Sequence, residues 1–254
     1  MVDQAESLRQ RMKAIQKGPA RVVAIAAIGS TEDGAIYARS FTEAIHRLGK
    51  KVLLIECHDE KNSHANLHHP GFLADRLDEE PSLTAKVEKH QSGYDYIPRL
   101  TRFQDFRLSD DATLHLNQMY DLIVLDCGIM TAPQPPPVLI AAKEVIVAIQ
   151  LKDRSILDIY GAIKSMVHQR RDLLIHCMMD GWGTDEQVRE TWDKLRTTTA
   201  RFLSLSLRLL GGWPDKPKNP YIDRIAGSFM KLGESQKEVE LTAFLERLRE
   251  EPPS

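Results

Sequence analysis

The stretch RVVAIAAIGSTEDGAIYARSFTEAIHRLGKKVLLIEC, residues 21–57, decides the fold. It begins with an apolar run (21–28), passes through a short polar loop, continues with helical periodicity and ends in a second apolar run (51–57). A strand, loop, helix and second strand in this order begin a parallel α/β domain. In such domains ligands gather outside the carboxyl ends of the strands, so the polar loop is expected at the functional edge of the sheet.

Near-continuous apolar runs recur along the rest of the chain. They occupy residues 21–28, 51–57, 120–127, 144–151, 172–178 and 205–213. Continuous rather than alternating hydrophobicity is typical of strands that are covered on both faces. Segments between the runs carry helical stripes, formed by Phe41, Ala44, Ile45 and Leu48 in one and by Ile156, Ile159, Ile163 and Met166 in another. The pattern predicts an α/β fold with a doubly wound, mainly parallel sheet flanked by helices.

Composition excludes several function classes. The chain has 254 residues, 42% of them hydrophobic, and a formal net charge of −2, so bulk attraction to nucleic acid is not expected. No apolar run approaches the roughly 20 residues of a membrane-spanning helix, and the charged N-terminus does not resemble a secretory signal. Three cysteines without paired spacing argue against a disulfide framework. A cytoplasmic protein is expected.

Both ends lie outside the predicted α/β domain. In the first 20 residues, Ala5, Leu8, Met12 and Ile15 share one helical face, with Asp3 as N-cap and Glu6 three residues later. The sequence KGPA breaks this helix before the first strand. Leu241, Phe244, Leu245 and Leu248 form a second stripe near the C-terminus. We therefore expect an N-terminal helix (1–20), an α/β domain (21–232) and a C-terminal amphipathic helix with its tail (233–254).

The loop IGSTEDGA, residues 28–35, lacks the groups that hold a phosphate. A phosphate-binding loop needs glycines, a lysine and a Ser or Thr hydroxyl for magnesium. Here Gly29 and Gly34 remain, but Glu32 and Asp33 stand at the start of the helix and no lysine is present. Carboxylates there stabilise the helix dipole by about 0.3–1 kcal/mol each and would repel a triphosphate. ATP binding is therefore predicted to be lost, with no other cofactor expected.

The arrangement resembles the MinD/ParA family of deviant P-loop ATPases, and within it the FlhG-type regulators of flagellar number. The resemblance rests on the first strand and on LGKKVLLIE at the matching distance from it. It places Gly29 at the signature-lysine position, Gly34 at the catalytic-lysine position and Ala35 at the magnesium-hydroxyl position. A degenerate nucleotide site, and hence a pseudo-ATPase rather than an enzyme, is what the resemblance implies.

Other family positions are partly retained. YDLIVLDCG keeps the family's switch-II aspartate as Asp126, whereas the acidic pair of the next strand appears as Glu56 and His58. The asparagine that contacts adenine in relatives is missing from LLIHCMMDG. Without a lysine or magnesium partner, Asp126 is expected to order a loop or cap a helix.

The N-terminus matches a second element of the FlhG-type proteins. Their DQAxxLR motif engages the signal-recognition-type GTPase FlhF, and here it stands as DQAESLR, with Asp3, Gln4, Ala5, Leu8 and Arg9 at the specified positions. The resemblance implies a cytoplasmic, monomeric regulator of flagellar assembly that binds or stimulates an FlhF-type GTPase and is recruited to the flagellar pole by a partner. The alternative is an ordinary amphipathic helix packed on its own domain.

A different class of function stays open at the same edge of the sheet. Glu32, Asp33, Glu56, His58 and Asp126 could converge on a metal or a small substrate, as in an enzyme. His58, His64 and His68 are candidate metal ligands in a segment that is otherwise a polar surface loop.

Two remaining features favour structural interpretations. Cys57, Cys127 and Cys177 fall at the carboxyl ends of predicted strands, and buried structural thiols are expected there rather than a thiolate site. Between Ser235 and Glu251, five glutamates stand against one lysine and two arginines. That balance opposes binding to an anionic membrane, so membrane contact is expected to be at most indirect.

Overall fold

A computed structural model describes residues 20–29, 34–57, 87–98, 110–130, 134–150, 155–180, 185–213 and 219–233. The strands are β1 (Arg21–Ile28), β2 (Val52–Glu56), β3 (Glu88–Lys89), β4 (Asp95–Ile97), β5 (Leu122–Ile129), β6 (Glu144–Gln150), β7 (Leu174–Asp180) and β8 (Arg208–Trp213). The helices are α1 (Ala35–Arg47), α2 (Asp110–Met119), α3 (Pro137–Ala141), α4 (Ile156–Gln169), α5 (Asp185–Leu203) and α6 (Asn219–Gly233). The predicted terminal helices, including DQAESLR, lie outside the described residues.

These strands form one eight-stranded sheet in the order β3-β4-β2-β5-β1-β6-β7-β8. All neighbouring pairs are parallel except β3 and β4. Each of the six apolar runs becomes a strand, which confirms the doubly wound, mainly parallel sheet. The sequence did not reveal β3 and β4, because strands of two and three residues are too short to show a periodicity.

Helices cover the sheet on both faces, each over its own apolar core. One core joins β1, β5 and β6 to α1 and α6 through residues such as Phe41, Ile45 and Phe229. The rings of Phe41 and Phe229 meet edge to face, with centroids 5.4 Å apart. On the other face Ile163 of α4 and Leu195 of α5 lie in the second core. Burying one such side chain contributes about 1.5–3 kcal/mol, so the two layers hold the ends of the strands in fixed register.

Two details differ from the sequence-based expectation. Leu48 was placed on the buried stripe of α1 but is 43% exposed, because the helix ends at Arg47 and the chain turns at Gly49, whose φ is +77°. Cys177 was placed at the carboxyl end of a strand, but it lies in the middle of β7, which continues to Asp180. No helix in the described ranges is long and apolar enough to cross a bilayer.

A buried ion pair lies at the opposite, amino-terminal edge of the sheet. Arg21 Nε, at the start of β1, donates to Glu144 Oε2 of β6 over 2.7 Å, and Arg21 Nη1 donates to the carbonyl oxygen of Phe229 over 3.0 Å. The guanidinium carbon lies 3.8 Å from the centre of the Phe229 ring. Glu144 is fully buried, so removing Arg21 would leave an uncompensated charge. This pair fastens α6 to the sheet.

His176 packs beside this pair and gives the fold a pH dependence. Its ring meets Phe229 edge to face at 5.4 Å, and neither ring nitrogen has a hydrogen-bond partner in the described part of the chain. Burial, followed by the charges of Arg21 and Arg208, lowers the pKa of His176 to about 4. In the unfolded chain the same imidazole takes up a proton near its usual pKa of about 6.5.

We predict that the free energy of unfolding decreases as the pH is lowered, and that His176→Leu removes part of this decrease. Between pH 6.5 and 4 the unfolded state binds a proton at His176 that the folded state does not, so unfolding becomes easier as pH falls. Urea unfolding at about pH 7.5 and pH 5 should show the wild type losing about 2 kcal/mol more than His176→Leu. Parallel pH profiles for the two proteins would contradict the assignment.

Candidate functional site

The carboxyl ends of the central strands meet at one edge of the sheet, here called the rim. Gly29 follows β1, Glu56 ends β2, Asp126 lies near the end of β5 and Gln150 ends β6. Helix α1 begins beside them, with Gly34 as its N-cap residue. In parallel α/β folds a helix N-terminus at this place supplies free backbone N–H groups to an anion.

A side chain at the position of Gly34 would collide with Ile129 unless Ile129 moved. A Cβ atom built there would lie 2.4 Å from Ile129 Cγ1 and 3.3 Å from the carbonyl carbon of Gly128. Separations under about 3 Å require the neighbours to move. Gly34 and Ala35 are both buried, and Gly34 makes no side-chain cap to the helix. The first turn of α1 is therefore packed directly against the end of β5.

Asp126 fixes the backbone that makes this contact. Its Oδ1 accepts a hydrogen bond from the Gly128 N–H over 2.9 Å, and the residue is 1% exposed. Gly128 has a φ of +64°, a left-handed conformation that favours glycine, and the register of β5 with β1 shifts at this point. The resulting bulge presents Ile129 to Gly34. Asp126 thus orders the end of its own strand.

Gln150 covers Gly29 on the other side. A Cβ at Gly29 would lie 1.8 Å from Gln150 Oε1 and 2.6 Å from Gln150 Cβ. Gln150 Nε2 donates a hydrogen bond to the Tyr37 hydroxyl of α1 over 3.0 Å, which holds the amide in place. Gln150 and Tyr37 were not among the site residues predicted from the sequence. The available signal was a single amide at the end of the otherwise apolar strand EVIVAIQ.

Glu56 is neutralised by helix α1. Its Oε1 lies 2.5 Å from Arg39 Nη2, and Glu56 is only 5% exposed. Burial lowers the pKa of the Arg39 guanidinium, but the hydrogen bond and charge of Glu56 outweigh it and leave that pKa raised. The pKa of Tyr96 is raised chiefly by burial, and further by the charge of Glu56 and by a hydrogen bond between the two side chains. Sequence reasoning gave no sign of Arg39 or Tyr96, since their contacts with Glu56 arise only from the tertiary fold.

The carboxylates predicted to converge are therefore only partly brought together. Glu56 and Asp126 are direct cross-strand neighbours, but Glu56 is paired with Arg39 while Asp126 binds the Gly128 N–H. Among the residues that the structure describes, no three His, Cys, Asp or Glu side chains are grouped to hold a metal ion. Glu32, Asp33, His58, His64 and His68 lie outside these residues.

Comparisons with known proteins identify the fold. No protein-family model matches the chain, and neither does any curated protein sequence. Among solved structures, the MinD cell division protein of Aquifex aeolicus is 18% identical, with a TM-score of 0.52, over 92% of this chain and 99% of that one. A plasmid partition protein of Borrelia burgdorferi is 16% identical, with a TM-score of 0.53, over 84% of this chain and 99% of that one.

A third protein with this fold was solved with a nucleotide. The cobyrinic acid a,c-diamide synthase of Mycobacterium smegmatis, with a bound ATP analogue and magnesium, is 16% identical, with a TM-score of 0.52, over 87% of this chain and 98% of that one. At such low identity the likeness establishes the fold alone. That fold is the mainly parallel α/β fold of the MinD and ParA type.

We predict that Gly34→Ala destabilises the protein by about 1–3 kcal/mol in urea unfolding, because the added methyl group overlaps Ile129. Gly161→Ala on α4 is the matched control, since nothing lies within 4 Å of a Cβ there. That exchange should instead stabilise the helix by about 0.5–1 kcal/mol.

A double mutant tests the contact itself. In an Ile129→Ala background the clash is relieved, so the cost of Gly34→Ala should shrink by at least about 0.5 kcal/mol. Equal changes in the free energy of unfolding for Gly34→Ala and Gly161→Ala would show that Ile129 does not pack closely on Gly34. A cost of Gly34→Ala that is the same in the wild-type and in the Ile129→Ala background would show the same.

Proposed function

We propose that this chain, built on the P-loop ATPase fold of MinD and ParA, is a non-hydrolysing regulator of flagellar assembly that acts by protein–protein contact. The absence of hydrolysis is inferred from the packing of Ile129 against Gly34 at the start of α1, and the flagellar role from the sequence DQAESLR. In P-loop proteins a lysine and the backbone N–H groups of the first helical turn bind the phosphates at this position.

The rim residues do not fit a nucleotide with magnesium. Ile129 leaves no room for a lysine at position 34, Gln150 occupies the space beside Gly29, and Ala35 has no hydroxyl for a metal ion. The loop of residues 28–35 also contains no lysine to offset the negative charge of a triphosphate. The proposal includes the loss of ATP binding. Without ATP the protein would remain a monomer and would not alternate between two nucleotide-dependent states. Nothing in the described geometry favours the alternative of an enzyme.

The functional element in this proposal is the N-terminal sequence DQAESLR. The described part of the chain begins at Ala20, which is 1% exposed and whose N–H donates to Asn117 Oδ1 of α2 over 3.1 Å. Ala20 precedes β1, at the edge of the sheet opposite the rim. The eight residues of β1 separate the two edges by roughly 26 Å. A partner bound through the N-terminus therefore need not contact the degenerate rim.

An FlhF-type signal-recognition GTPase is the proposed partner. Arg9 can supply a positive charge and Gln4 an amide to a GTPase site, the groups by which activating elements stabilise a transferring phosphate or position the attacking water. Recruitment by such a partner would bring a cytoplasmic protein to the flagellar pole without its own membrane contact.

We expect this chain to raise GTP turnover by an FlhF-type GTPase, and a version lacking residues 1–19 to leave turnover at its basal rate. Arg9→Ala should lose at least about tenfold of the stimulation, since an arginine in such a site is worth far more than that. Arg11→Ala, which removes the same charge outside the motif, is the control and should retain it. Equal turnover with and without residues 1–19 would refute the proposed activity.

Magnesium and ATP should not change the melting temperature of this chain. A ligand at one hundred times its dissociation constant would add about 2.7 kcal/mol of stability, which amounts to several degrees for a domain of this size. A MinD protein of the same fold, measured in parallel, provides the positive control. A clear upward shift for this chain would mean that the rim still accepts a nucleotide.

A further inference from the structure

Two thiols lie side by side where β2 and β5 end. The register pairs Glu56 with Asp126, and the N–H of Cys57 donates to the carbonyl oxygen of Asp126 over 2.8 Å, which continues the ladder by one residue. Cys57 is thereby the cross-strand neighbour of Cys127. Adjacent strands run about 4.8 Å apart, which falls within the Cα separations of roughly 4.4–6.8 Å that a disulfide spans.

Both side chains lie on the same face of the sheet. Cys127 belongs to the core that includes Leu125, and Cys57 packs against that same core. Each thiol approaches the carbonyl oxygen two residues earlier in its own strand, Cys57 Sγ to Ile55 at 3.5 Å and Cys127 Sγ to Leu125 at 3.9 Å. The two Cβ–Sγ bonds therefore lean in the same direction. A disulfide would require rotations about χ1 that turn the sulfurs toward each other.

Access to the pair is unequal, and the third cysteine is remote. Cys57 is half-buried, whereas Cys127 and Cys177 are buried. Cys177 lies in β7, which β1 and β6 separate from β5, so about 14 Å lies between their strands. Cys177 cannot pair with either of the others without unfolding.

We propose that Cys57 and Cys127 form an oxidisable dithiol site, which a small-molecule disulfide such as glutathione disulfide converts to a Cys57–Cys127 disulfide. The Cys57 thiolate attacks one sulfur of the oxidant and releases one glutathione thiolate. The Cys127 thiolate then attacks the Cys57 sulfur of the mixed disulfide and releases the second. Two protein thiols are oxidised, one glutathione disulfide is reduced, and the two thiol protons pass to the released glutathiones.

The product would join β2 and β5 one residue beyond the Glu56–Asp126 pair. The inference rests on strand register and side-chain direction, and it does not depend on the proposed function. Burial raises the pKa of both thiols, and the charges of Cys127, Asp126 and Glu56 add to it at Cys57. Exchange should therefore be slow near neutrality and faster as pH rises, because the thiolate is the nucleophile.

The test treats the full chain with excess glutathione disulfide at about pH 8.5. The oxidant is then removed, and the protein is unfolded in denaturant that contains excess N-ethylmaleimide, which blocks the remaining thiols before digestion and non-reducing mass spectrometry. Of the three cysteines, only Cys177 should carry maleimide, and the peptides of Cys57 and Cys127 should be linked with the loss of two hydrogen atoms. Cys177→Ser should give the same linked peptides, whereas the partly exposed Cys57→Ser should give none.

Results on the wild type alone can overturn the proposal, so it does not depend on how the variants fold. Glutathione adducts without a linked peptide would show that Cys127 cannot reach Cys57. Maleimide on all three cysteines, or a disulfide that includes Cys177, would likewise refute it.

Discussion

The contact between Ile129 and the backbone of Gly34 sets how helix α1 meets the sheet. It depends on a short chain of causes within β5. The Asp126 carboxylate holds the Gly128 N–H, Gly128 adopts a left-handed conformation, and the bulge that follows turns Ile129 toward the helix. Since α1 packs this closely against the end of β5, Arg39 forms an ion pair with Glu56, and the Tyr37 hydroxyl accepts a hydrogen bond from the Gln150 amide. The rim is an interlocked set of packed groups, and changing one of them would disturb the others.

In the proposed account the frame of the fold is kept, whereas the nucleotide chemistry of proteins with this fold is lost. The frame is intact, with a parallel sheet, two apolar cores and a buried Arg21–Glu144 pair that fastens α6 to the amino-terminal edge. At the carboxyl edge Glu56 pairs with Arg39, Asp126 accepts from the Gly128 N–H, and the Gln150 amide donates to the Tyr37 hydroxyl. A chain of this kind retains a stable platform on which contacts with a partner can be built away from the rim. That division of roles underlies the proposed regulator.

The sequence predicted the sheet well because parallel strands are buried on both faces and leave near-continuous apolar runs. The placement of Glu56 and Asp126 at the rim followed from the same runs. Their partners could not be found in this way, since the contacts of Arg39, Tyr96 and Gln150 depend on how α1 and β4 pack in three dimensions. The resemblance placed Gly34 where relatives carry a lysine, and nothing in the sequence indicated that a Cβ there would lie 2.4 Å from Ile129 Cγ1. Leu48 and Cys177 were misplaced because element boundaries leave a weak trace in the sequence.

The central claim is that the first turn of α1 is closed to phosphate by the protein's own packing. Hydrogen–deuterium exchange of the peptide that spans residues 34–38, with and without saturating magnesium and ATP, measures this directly, because a phosphate bound there would protect these amides. The account predicts the same exchange rates in both conditions. Slower exchange confined to this turn in the presence of ATP would contradict it.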